Sequence, residues 1–354
     1  MAERLKKIYQ LLKRKKIDAL IITNPFNRRY LSGFDGSAGV LLIGLDKPLL
    51  VTDFRYVEQA SEQAEHFTVH RWQGDLIKYL IPLIKEAGWQ KLGFESKHVV
   101  QQLYTEMKEK LPVELVALEE TAEKQRMIKS EPELAIMRRG SEILDSAFDY
   151  ICSRISPGMT EREAALELEI YLLNQGAEEA AFRFIVASGI RGALPHGVAS
   201  VKRLVSGELV TFDFGAVFEG YATDMTRTVA LGKVSQRSNK IYDIVKEAHE
   251  EAAIIAKAGL RAKEVDAAAR GIIEQAGYGE YFGHGLGHGV GLETHEQPVL
   301  NPSSATVLRE GMVVTIEPGI YIPGWGGVRI EDMVAVTNGG VEMLTKSTRE
   351  LIVI

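Results

Sequence analysis

Acidic residues interrupt strand-like apolar runs in the second half of the chain, and this feature restricts the fold more than any other. The runs LVTFDFGAVF, YATDMTRTVA, MVVTIE and GGVRIEDMVAV contain Asp213, Asp224, Glu317 and Glu331. If a two-residue turn lies at Glu219-Gly220, Asp213 is diagonal to Asp224 on one face of a hairpin. A single acid on a strand is most often a solvated surface residue. Four acids in apolar strands repel one another unless something positive lies between them.

Histidines and glycines complete this pattern. His196 lies in ALPHGVAS, and three more lie in FGHGLGHGVGLETHE, namely His284, His288 and His295, among glycines that allow close backbone approach. Carboxylate oxygens together with imidazole suit Mn²⁺, Co²⁺, Fe²⁺ or Zn²⁺. A single divalent ion would leave much of the charge of four carboxylates uncompensated in a buried site. The residues therefore predict a centre with two divalent metal ions.

The length of 354 residues predicts two domains. Residues 1–128 alternate short apolar runs with helical stretches, which indicates a small α/β domain. The polar segment TAEKQRMIKS precedes a long helix, so we place the boundary between residues 128 and 129. The elements predicted for the first domain are strands 19–23, 40–43, 49–52, 91–95 and 114–118, and helices 3–15, 56–64, 76–87 and 99–110.

Residues 129–354 are predicted to form an α+β domain in which helices flank an antiparallel sheet. Thr160 and Glu163 have the spacing of a capping box, which marks the start of a helix. Helices followed by an acid-bearing hairpin occur twice along this domain. The predicted elements are helices from 130 to about 155, from 160 to about 176, 238–258 and 262–275, strands 209–218 and 221–231, and a β-rich segment from 312 to 354.

Composition and charge exclude several classes of protein. Lys and Arg total 42 and Asp and Glu total 48, and the net charge of −6 disfavours nucleic-acid binding, which needs a basic face. No apolar stretch approaches the length of a membrane span or a secretion signal. The single cysteine, Cys152, excludes an intrachain disulfide and a cysteine-rich zinc site, and a chain so poor in thiols suits the cytoplasm.

Four segments carry a resemblance to a known family: DFGAVFEGYATDMTRT, GHGLGHGVGLETHEQP, MVVTIEPGIY and GGVRIED. In this order they resemble the metallopeptidase family of methionine aminopeptidase, aminopeptidase P and prolidase, whose catalytic domain has the pita-bread fold. The first domain resembles the smaller creatinase-type N-terminal domain of the Xaa-Pro peptidases, for which we expect roles in substrate access and dimerisation. The resemblance implies five metal ligands, of which Asp224 and Glu331 bridge both ions: Asp213, Asp224, His288, Glu317 and Glu331.

The resemblance also implies roles around the metals. Glu317 would act as ligand and general base, and His196 and His295 would flank the scissile carbonyl and stabilise the oxyanion. Between two cations, a bridging water would lose its proton near neutral pH. Three further positions match residues near the substrate in the Xaa-Pro-cleaving branch, with the first packing on the proline ring: Phe182, His284 and Arg329.

The leading hypothesis is metal-dependent hydrolysis of Xaa-Pro bonds in short proline-containing peptides by a cytoplasmic homodimer. Mn²⁺ or Co²⁺ is favoured over Zn²⁺ or Fe²⁺. The compact length favours an Xaa-Pro dipeptidase (prolidase), and an aminopeptidase P acting on longer peptides is the alternative. The N-terminal domain disfavours a methionine aminopeptidase. The complete set of five ligands disfavours a creatinase or a non-catalytic binding member of the fold.

Overall fold

The N-terminal part of the chain forms a mixed sheet flanked by helices. The structure is a computed structural model that describes residues 2–44 and 48–354, and the chain divides into two units, Met1–Arg126 and Met127–Ile354. The described elements of the first unit are strands β1 (Ala19–Ile22), β2 (Val40–Gly44), β3 (Pro48–Thr52), β4 (Thr68–Arg71), β5 (Lys91–Glu95) and β6 (Glu114–Leu118), and helices α1 (Ala2–Lys15), α2 (Pro25–Ser32), α3 (Val57–Gln63), α4 (Leu76–Glu86), α5 (Gln101–Lys110) and α6 (Glu123–Arg126).

The strands of the first unit lie in the order β4-β3-β2-β1-β5-β6. The pairs β1–β2 and β2–β3 are antiparallel, and the outer pairs are parallel, so the α/β prediction is confirmed. The sequence analysis missed α2, β4 and the short helix α6. Pro25 opens α2, and the side chain of Asn24 caps it by accepting hydrogen bonds from the backbone N–H groups of Phe26 and Asn27. These two signals were present in the sequence, but the helix is only eight residues long.

The second unit contains helix pairs and short antiparallel strands. Two short 3₁₀ turns lie at Gly189–Ala193 and Gly279–Tyr281. Its helices and strands are α7 (Glu131–Arg154), α8 (Glu161–Asn174), α9 (Gln236–Ile255), α10 (Ala262–Gln275), β7 (Glu179–Ala180), β8 (Ile185–Ser188), β9 (Glu208–Phe214), β10 (Ala216–Phe218), β11 (Tyr221–Ala222), β12 (Met225–Leu231), β13 (Gly287–Gly289), β14 (Glu296–Leu300), β15 (Val313–Ile316), β16 (Gly319–Ile322), β17 (Gly326–Arg329), β18 (Asp332–Val336) and β19 (Val341–Met343).

Each helix pair of the second unit packs on its own set of strands. Helices α7 and α8 share an apolar cluster with the sheet β12-β9-β8, in which Phe148 and Phe212 are fully buried. Helices α9 and α10 share a second cluster with β14, β15, β17 and β18. The prediction that helices followed by an acid-bearing hairpin occur twice is confirmed. No helix within residues 2–44 and 48–354 is long and apolar enough to cross a membrane.

The first acid-bearing hairpin is interrupted, which the sequence analysis did not predict. The strands expected over 209–218 and 221–231 each break, the first at Gly215 and the second at Thr223 and Asp224. The two backbones are very close at this point, since a Cβ atom at Gly215 would lie 2.0 Å from the carbonyl oxygen of Thr223. The Thr223 hydroxyl accepts from the backbone N–H of Ala216 and donates to its carbonyl, beside the backbone bond from the Thr223 N–H to the same carbonyl. The register survives the break, since Asp213 is opposite Thr226. Asp224, two residues before Thr226, is therefore diagonal to Asp213, as predicted.

Candidate metal centre

The second unit brings four carboxylates and one histidine into a group that we call the acidic cluster: Asp213, Asp224, His288, Glu317 and Glu331. One ligand atom each of Asp224, His288 and Glu331 lies within 4.8 Å of the other two. Glu317 approaches the same histidine, with 3.4 Å between its Oε1 and His288 Nε2. The backbone N–H of Glu331 donates to the carbonyl of Thr226 at 3.0 Å, which ties the second acid-bearing segment to the first.

Hydrogen bonds orient the ring of His288 toward the acids. Its Nδ1 lies 3.1 Å from the carbonyl oxygen of Gly289, so Nδ1 carries the proton and Nε2 keeps its lone pair. Burial, assisted by the charge of His295, lowers the pKa of His288 to about 4, so the ring is neutral at pH 7. Thr315 accepts from the His288 backbone N–H and donates to Glu317. A neutral imidazole with an exposed Nε2 lone pair is the form that binds a metal ion.

Burial raises the pKa of every carboxyl in the acidic cluster. The pKa of Glu317 rises to about 8. For Asp224 and Glu331, burial and then the negative charges of neighbouring acids raise the pKa well above its ordinary value. Within the described residues, one buried oxygen of Asp213 and one of Asp224, each Oδ1, accepts no hydrogen bond. Buried, unpaired oxygens among like charges, together with a neutral imidazole, form a donor set that fits hard divalent cations.

Arg329 connects the acidic cluster to a tyrosine and a second histidine. Its Nη2 donates to Asp213 Oδ2 at 2.6 Å, and its Nη1 donates to the hydroxyl of Tyr321 at 2.9 Å. Nδ1 of His284 donates to the Gly285 carbonyl at 2.7 Å, so Nε2 accepts the Tyr321 hydroxyl proton at 2.9 Å. Burial lowers the pKa of His284 to about 4. His284 and Arg329, both expected near the substrate, thus belong to a hydrogen-bonded row that ends on Asp213.

The other three predicted residues line the approach to the cluster. The ring centroids of His295 and His288 are 4.1 Å apart, and the side chain of His295 is exposed. His196 is also exposed. Burial raises the pKa of Asp213, and the charge and hydrogen bond of Arg329, followed by the charges of His196 and His295, act in the opposite direction. Phe182 is half-buried, and its ring packs against Gly215. Gly215 lies between Asp213 and Asp224 along the chain.

Two family comparisons account for nearly the whole chain. Residues 135–338 match Metallopeptidase family M24, and residues 4–128 match the Creatinase/Prolidase N-terminal domain. The chain belongs to metallopeptidase family M24. It is therefore a peptidase that depends on divalent metal, and the predicted combination of a pita-bread catalytic domain with a creatinase-type N-terminal domain is confirmed.

Relatives of this M24 chain match it from end to end. A solved Xaa-Pro dipeptidase from Bacillus anthracis is 46% identical with a TM-score of 0.98, over 100% of this chain and 99% of its own. An Xaa-Pro dipeptidase from Pyrococcus horikoshii is 43% identical over 357 residues, 99% of each chain. A solved X-Pro aminopeptidase from Thermotoga maritima is 38% identical with a TM-score of 0.90, over 96% of this chain and 98% of its own.

The sequence analysis missed three hydroxyl groups of the M24 site: Thr226, Thr315 and Tyr321. Thr226 donates to Glu331 Oε2 at 2.7 Å and accepts from Arg329 Nε at 3.0 Å. The strand alternation contained the signal for Tyr321. Arg329 is opposite Gly319 in the β16–β17 pair, so Tyr321 is its diagonal neighbour on the same face.

The residue after Glu331 has different surroundings. Asp332 accepts from Arg227 Nη2 at 2.6 Å and from Arg349 Nε at 2.7 Å, and His249 Nε2 lies 3.0 Å from it. Burial raises the pKa of Asp332, but the positive charge of Arg227 and the nearby ring of His249 outweigh burial and hold the pKa well below its ordinary value. We call this group the Asp332 cluster: Arg227, His249, Asp332 and Arg349.

Proposed function

We propose that this M24 chain is an Xaa-Pro dipeptidase whose acidic cluster holds two divalent metal ions. The observation that carries the proposal is the cluster itself, with buried oxygens of Asp213 and Asp224 that no donor in the described residues satisfies. Full-length likeness to Xaa-Pro dipeptidases from Bacillus anthracis and Pyrococcus horikoshii supports the substrate class. Oxygen ligands with one imidazole favour Mn²⁺ or Co²⁺, with Zn²⁺ or Fe²⁺ as alternatives.

The proposed ligands are the five members of the acidic cluster. When bound, divalent ions supply Lewis acidity that brings the pKa of a coordinated water close to neutral. The protein's contribution is to keep the ligands oriented. Thr315 holds Glu317 and the backbone of His288, Thr226 holds Glu331, and Arg329 holds Asp213.

Glu317 is the proposed proton carrier. One of its carboxylate oxygens takes the proton of the attacking water and delivers it to the proline nitrogen as the bond breaks. Its Oε1 lies 3.4 Å from Nε2 of His288, and the hydroxyl of Thr315 donates to the same oxygen, which fixes the direction of the carboxylate. His196 and His295 are the proposed donors of N–H groups to the oxyanion that forms on the scissile carbonyl.

Phe182 is the proposed contact for the proline ring. The nitrogen of an Xaa-Pro bond carries no hydrogen, so a site selects this bond by shape and apolar contact rather than by an N–H acceptor. The half-buried ring of Phe182 lies against Gly215, which is two residues beyond Asp213 in the chain. An aromatic face at this position offers the flat apolar surface that a pyrrolidine ring covers.

A second candidate is an aminopeptidase P that removes the first residue of longer Xaa-Pro peptides. The likeness to the X-Pro aminopeptidase of Thermotoga maritima favours it. The two candidates share the same chemistry and differ only in the length of peptide accepted after proline. A cytoplasmic location, a homodimer and a role of the N-terminal domain in substrate access stay predictions, of which sedimentation analysis tests the dimer.

A metal-reconstituted assay tests the proposal. The protein is stripped with a chelator, reloaded with Mn²⁺ or Co²⁺, and given an Xaa-Pro dipeptide, an Xaa-Pro-Yaa tripeptide and Met-Ala-Yaa. We expect hydrolysis only after reloading, with kcat/KM for the dipeptide higher than that for the tripeptide by about tenfold or more. Preference for the tripeptide would favour aminopeptidase P. Cleavage of Met-Ala-Yaa alone, or full activity without metal, would overturn the proposal.

A further inference from the structure

A surface loop that carries His196 is held by polar contacts rather than by its own apolar residues. This His196 loop comprises residues 189–199, between β8 and the chain that leads to β9. Two of its large apolar side chains, Ile190 and Leu194, are 64% and 52% exposed. Apolar burial therefore contributes little to fixing the loop, and its conformation must depend on hydrogen bonds and backbone packing.

One buried carboxylate binds both ends of the His196 loop. Glu161 is the first residue of α8, and its side chain has no solvent exposure. Its Oε1 accepts from the backbone N–H and the hydroxyl of Ser188, each at 2.8 Å. Its Oε2 accepts from the hydroxyl of Ser200 at 2.6 Å and its N–H at 3.1 Å. Ser188 immediately precedes the loop and Ser200 immediately follows it, so a single carboxylate closes the segment.

Arg191 extends this contact into the loop. Its Nη1 donates to Glu161 Oε2, and its Nη2 donates to the carbonyl of Val198 at 2.8 Å. The guanidinium therefore reaches from the buried carboxylate to a position two residues beyond His196. Two backbone bonds, from Leu194 N–H to the Arg191 carbonyl and from Gly197 N–H to the Leu194 carbonyl, fold the chain on either side of the histidine.

The same loop packs on the strand that leads to Arg329. A Cβ atom at Gly327 would lie 2.1 Å from the carbonyl oxygen of Gly192, so the backbone of the loop lies directly on β17. The carbonyl of Pro195 accepts from Arg329 Nη1 at 3.3 Å. Fixing both ends of the loop on Glu161 thus sets the position of His196 relative to the acidic cluster.

We propose that Glu161 is a positioning residue that holds His196 in place for the reaction, acting through Ser188, Arg191 and Ser200. The inference rests on the proposed function, in which His196 stabilises the oxyanion. Glu161 is not needed as a helix cap, because Thr160 and Glu163 already form the capping box of α8. Its five donors all come from the His196 loop or from the residues that flank it.

A double-mutant cycle tests this role. Glu161→Gln, His196→Ala and the double variant are assayed with an Xaa-Pro dipeptide, together with metal content and melting temperature. Glu163→Gln is the matched control, since Glu163 is two residues away on the same turn of α8 and its carboxylate bonds, among the described residues, only to Thr160. We expect Glu161→Gln to lower kcat about tenfold to hundredfold with little change in KM. In the His196→Ala background, Glu161→Gln should lower kcat by less than about twofold.

The outcomes separate this inference from the proposed function. Equal losses in both backgrounds, or no loss from Glu161→Gln, would overturn the positioning role while leaving the dipeptidase proposal intact. Full activity of His196→Ala would remove His196 from the reaction and the inference with it. If Glu161→Gln does not fold, Ser200→Ala replaces it in the cycle. Ser200→Ala should lower kcat by a smaller factor, and this loss should again shrink in the His196→Ala background. Deuterium exchange of amides 189–199, which needs no substrate, should rise in either variant but not in Glu163→Gln.

Discussion

Glu331 and Asp332 are neighbours in the chain, yet their carboxyl groups meet opposite electrostatic environments. Glu331 faces other acids, and burial with their charges raises its pKa well above the ordinary value. Asp332 is equally buried, but Arg227, His249 and Arg349 surround it and hold its pKa well below the ordinary value. The difference lies in the donors each group receives from elsewhere in the fold. Within residues 2–44 and 48–354, the acidic cluster keeps two buried oxygens without a donor, whereas positively charged side chains surround Asp332.

A third buried carboxylate, in the first unit, follows the pattern of Asp332. Glu95 is 2% exposed and accepts from the backbone N–H groups of Thr23 and Asn24 at 2.7 and 2.8 Å and from Asn27 Nδ2 at 2.7 Å. Satisfied in this way, a buried acid links segments of the fold. Burial of an acid is therefore not the mark of a metal site. The mark is a set of buried acids that face one another and keep buried oxygens without a donor in the described part of the chain, as Asp213 and Asp224 do.

The largest expected effect comes from removing a member of the acidic cluster. Asp224→Ala should lose bound metal and reduce kcat at least about a thousandfold, because the remaining acids no longer form a complete ligand set. His295→Ala should retain about two metal ions per chain, as proposed for the native protein, and lower kcat about a hundredfold, since one oxyanion donor is lost. Elemental analysis of the purified variants and steady-state kinetics with an Xaa-Pro dipeptide measure both quantities.

The contrast between these two variants is what tests the ligand assignment. Metal loss from His295→Ala together with full metal content in Asp224→Ala would show that the assigned roles are reversed. His295 is exposed and stacks near His288, so its removal leaves the carboxylates and their partners in place. A common effect on both variants would instead indicate that the whole site had collapsed, which the melting temperatures would reveal.

Breaking the Asp332 cluster should lower the free energy of unfolding rather than kcat. Asp332→Asn leaves the buried guanidinium of Arg227 without its carboxylate, and breaking a buried pair in this way costs about 3–5 kcal/mol of unfolding free energy. Glu342→Gln is the matched control. The Arg138–Glu342 pair is 31% and 40% exposed, so its loss should cost less than about 1 kcal/mol. Denaturant unfolding measures both, and equal losses would contradict the distinction drawn between the clusters.

The sequence predicted the acidic cluster but not the Asp332 cluster, for a physical reason. Asp213 and Asp224 belong to one hairpin, so strand alternation and a turn at Glu219-Gly220 were enough to place them together. Nothing local distinguishes Glu331 from Asp332 in GGVRIED. The donors that make Asp332 a structural residue come from remote segments, with Arg227 lying 105 residues away along the chain.

The interruption of the first hairpin was hidden for a related reason. The break at Gly215 depends on how closely the carbonyl of Thr223 approaches it, which is a property of the folded backbone. The hydrogen-bonded row through Tyr321 required the register of β16 against β17. Motifs therefore predicted the ligand types and their order, while the contacts that orient these side chains came from strand pairing.

The smallest expected effect is on the pH dependence of stability in metal-free protein. The pKa of Glu317 is raised to about 8, so its protonated form stabilises the fold at low pH and this contribution is lost as pH rises through about 8. His284 and His288 have pKa values lowered to about 4, so they contribute stability that is lost as pH falls from the ordinary histidine pKa of 6.5 toward 4. They do not affect the pH dependence of stability above pH 7. Asp332, whose pKa is lowered, contributes stability that is lost only on acidification.

Above pH 7 the acidic cluster therefore dominates, and the melting temperature of the metal-free protein should fall by about 3 °C per pH unit up to pH 8.5. Metal-loaded protein should show no such fall, because bound cations keep the same carboxylates ionised and paired. Glu317→Gln provides the matched control, since its metal-free form should lose less stability over the same interval. A melting temperature that rises with pH in metal-free protein would mean that the buried acids are already compensated by donors, as Asp332 is, and the comparison between the two clusters would fail.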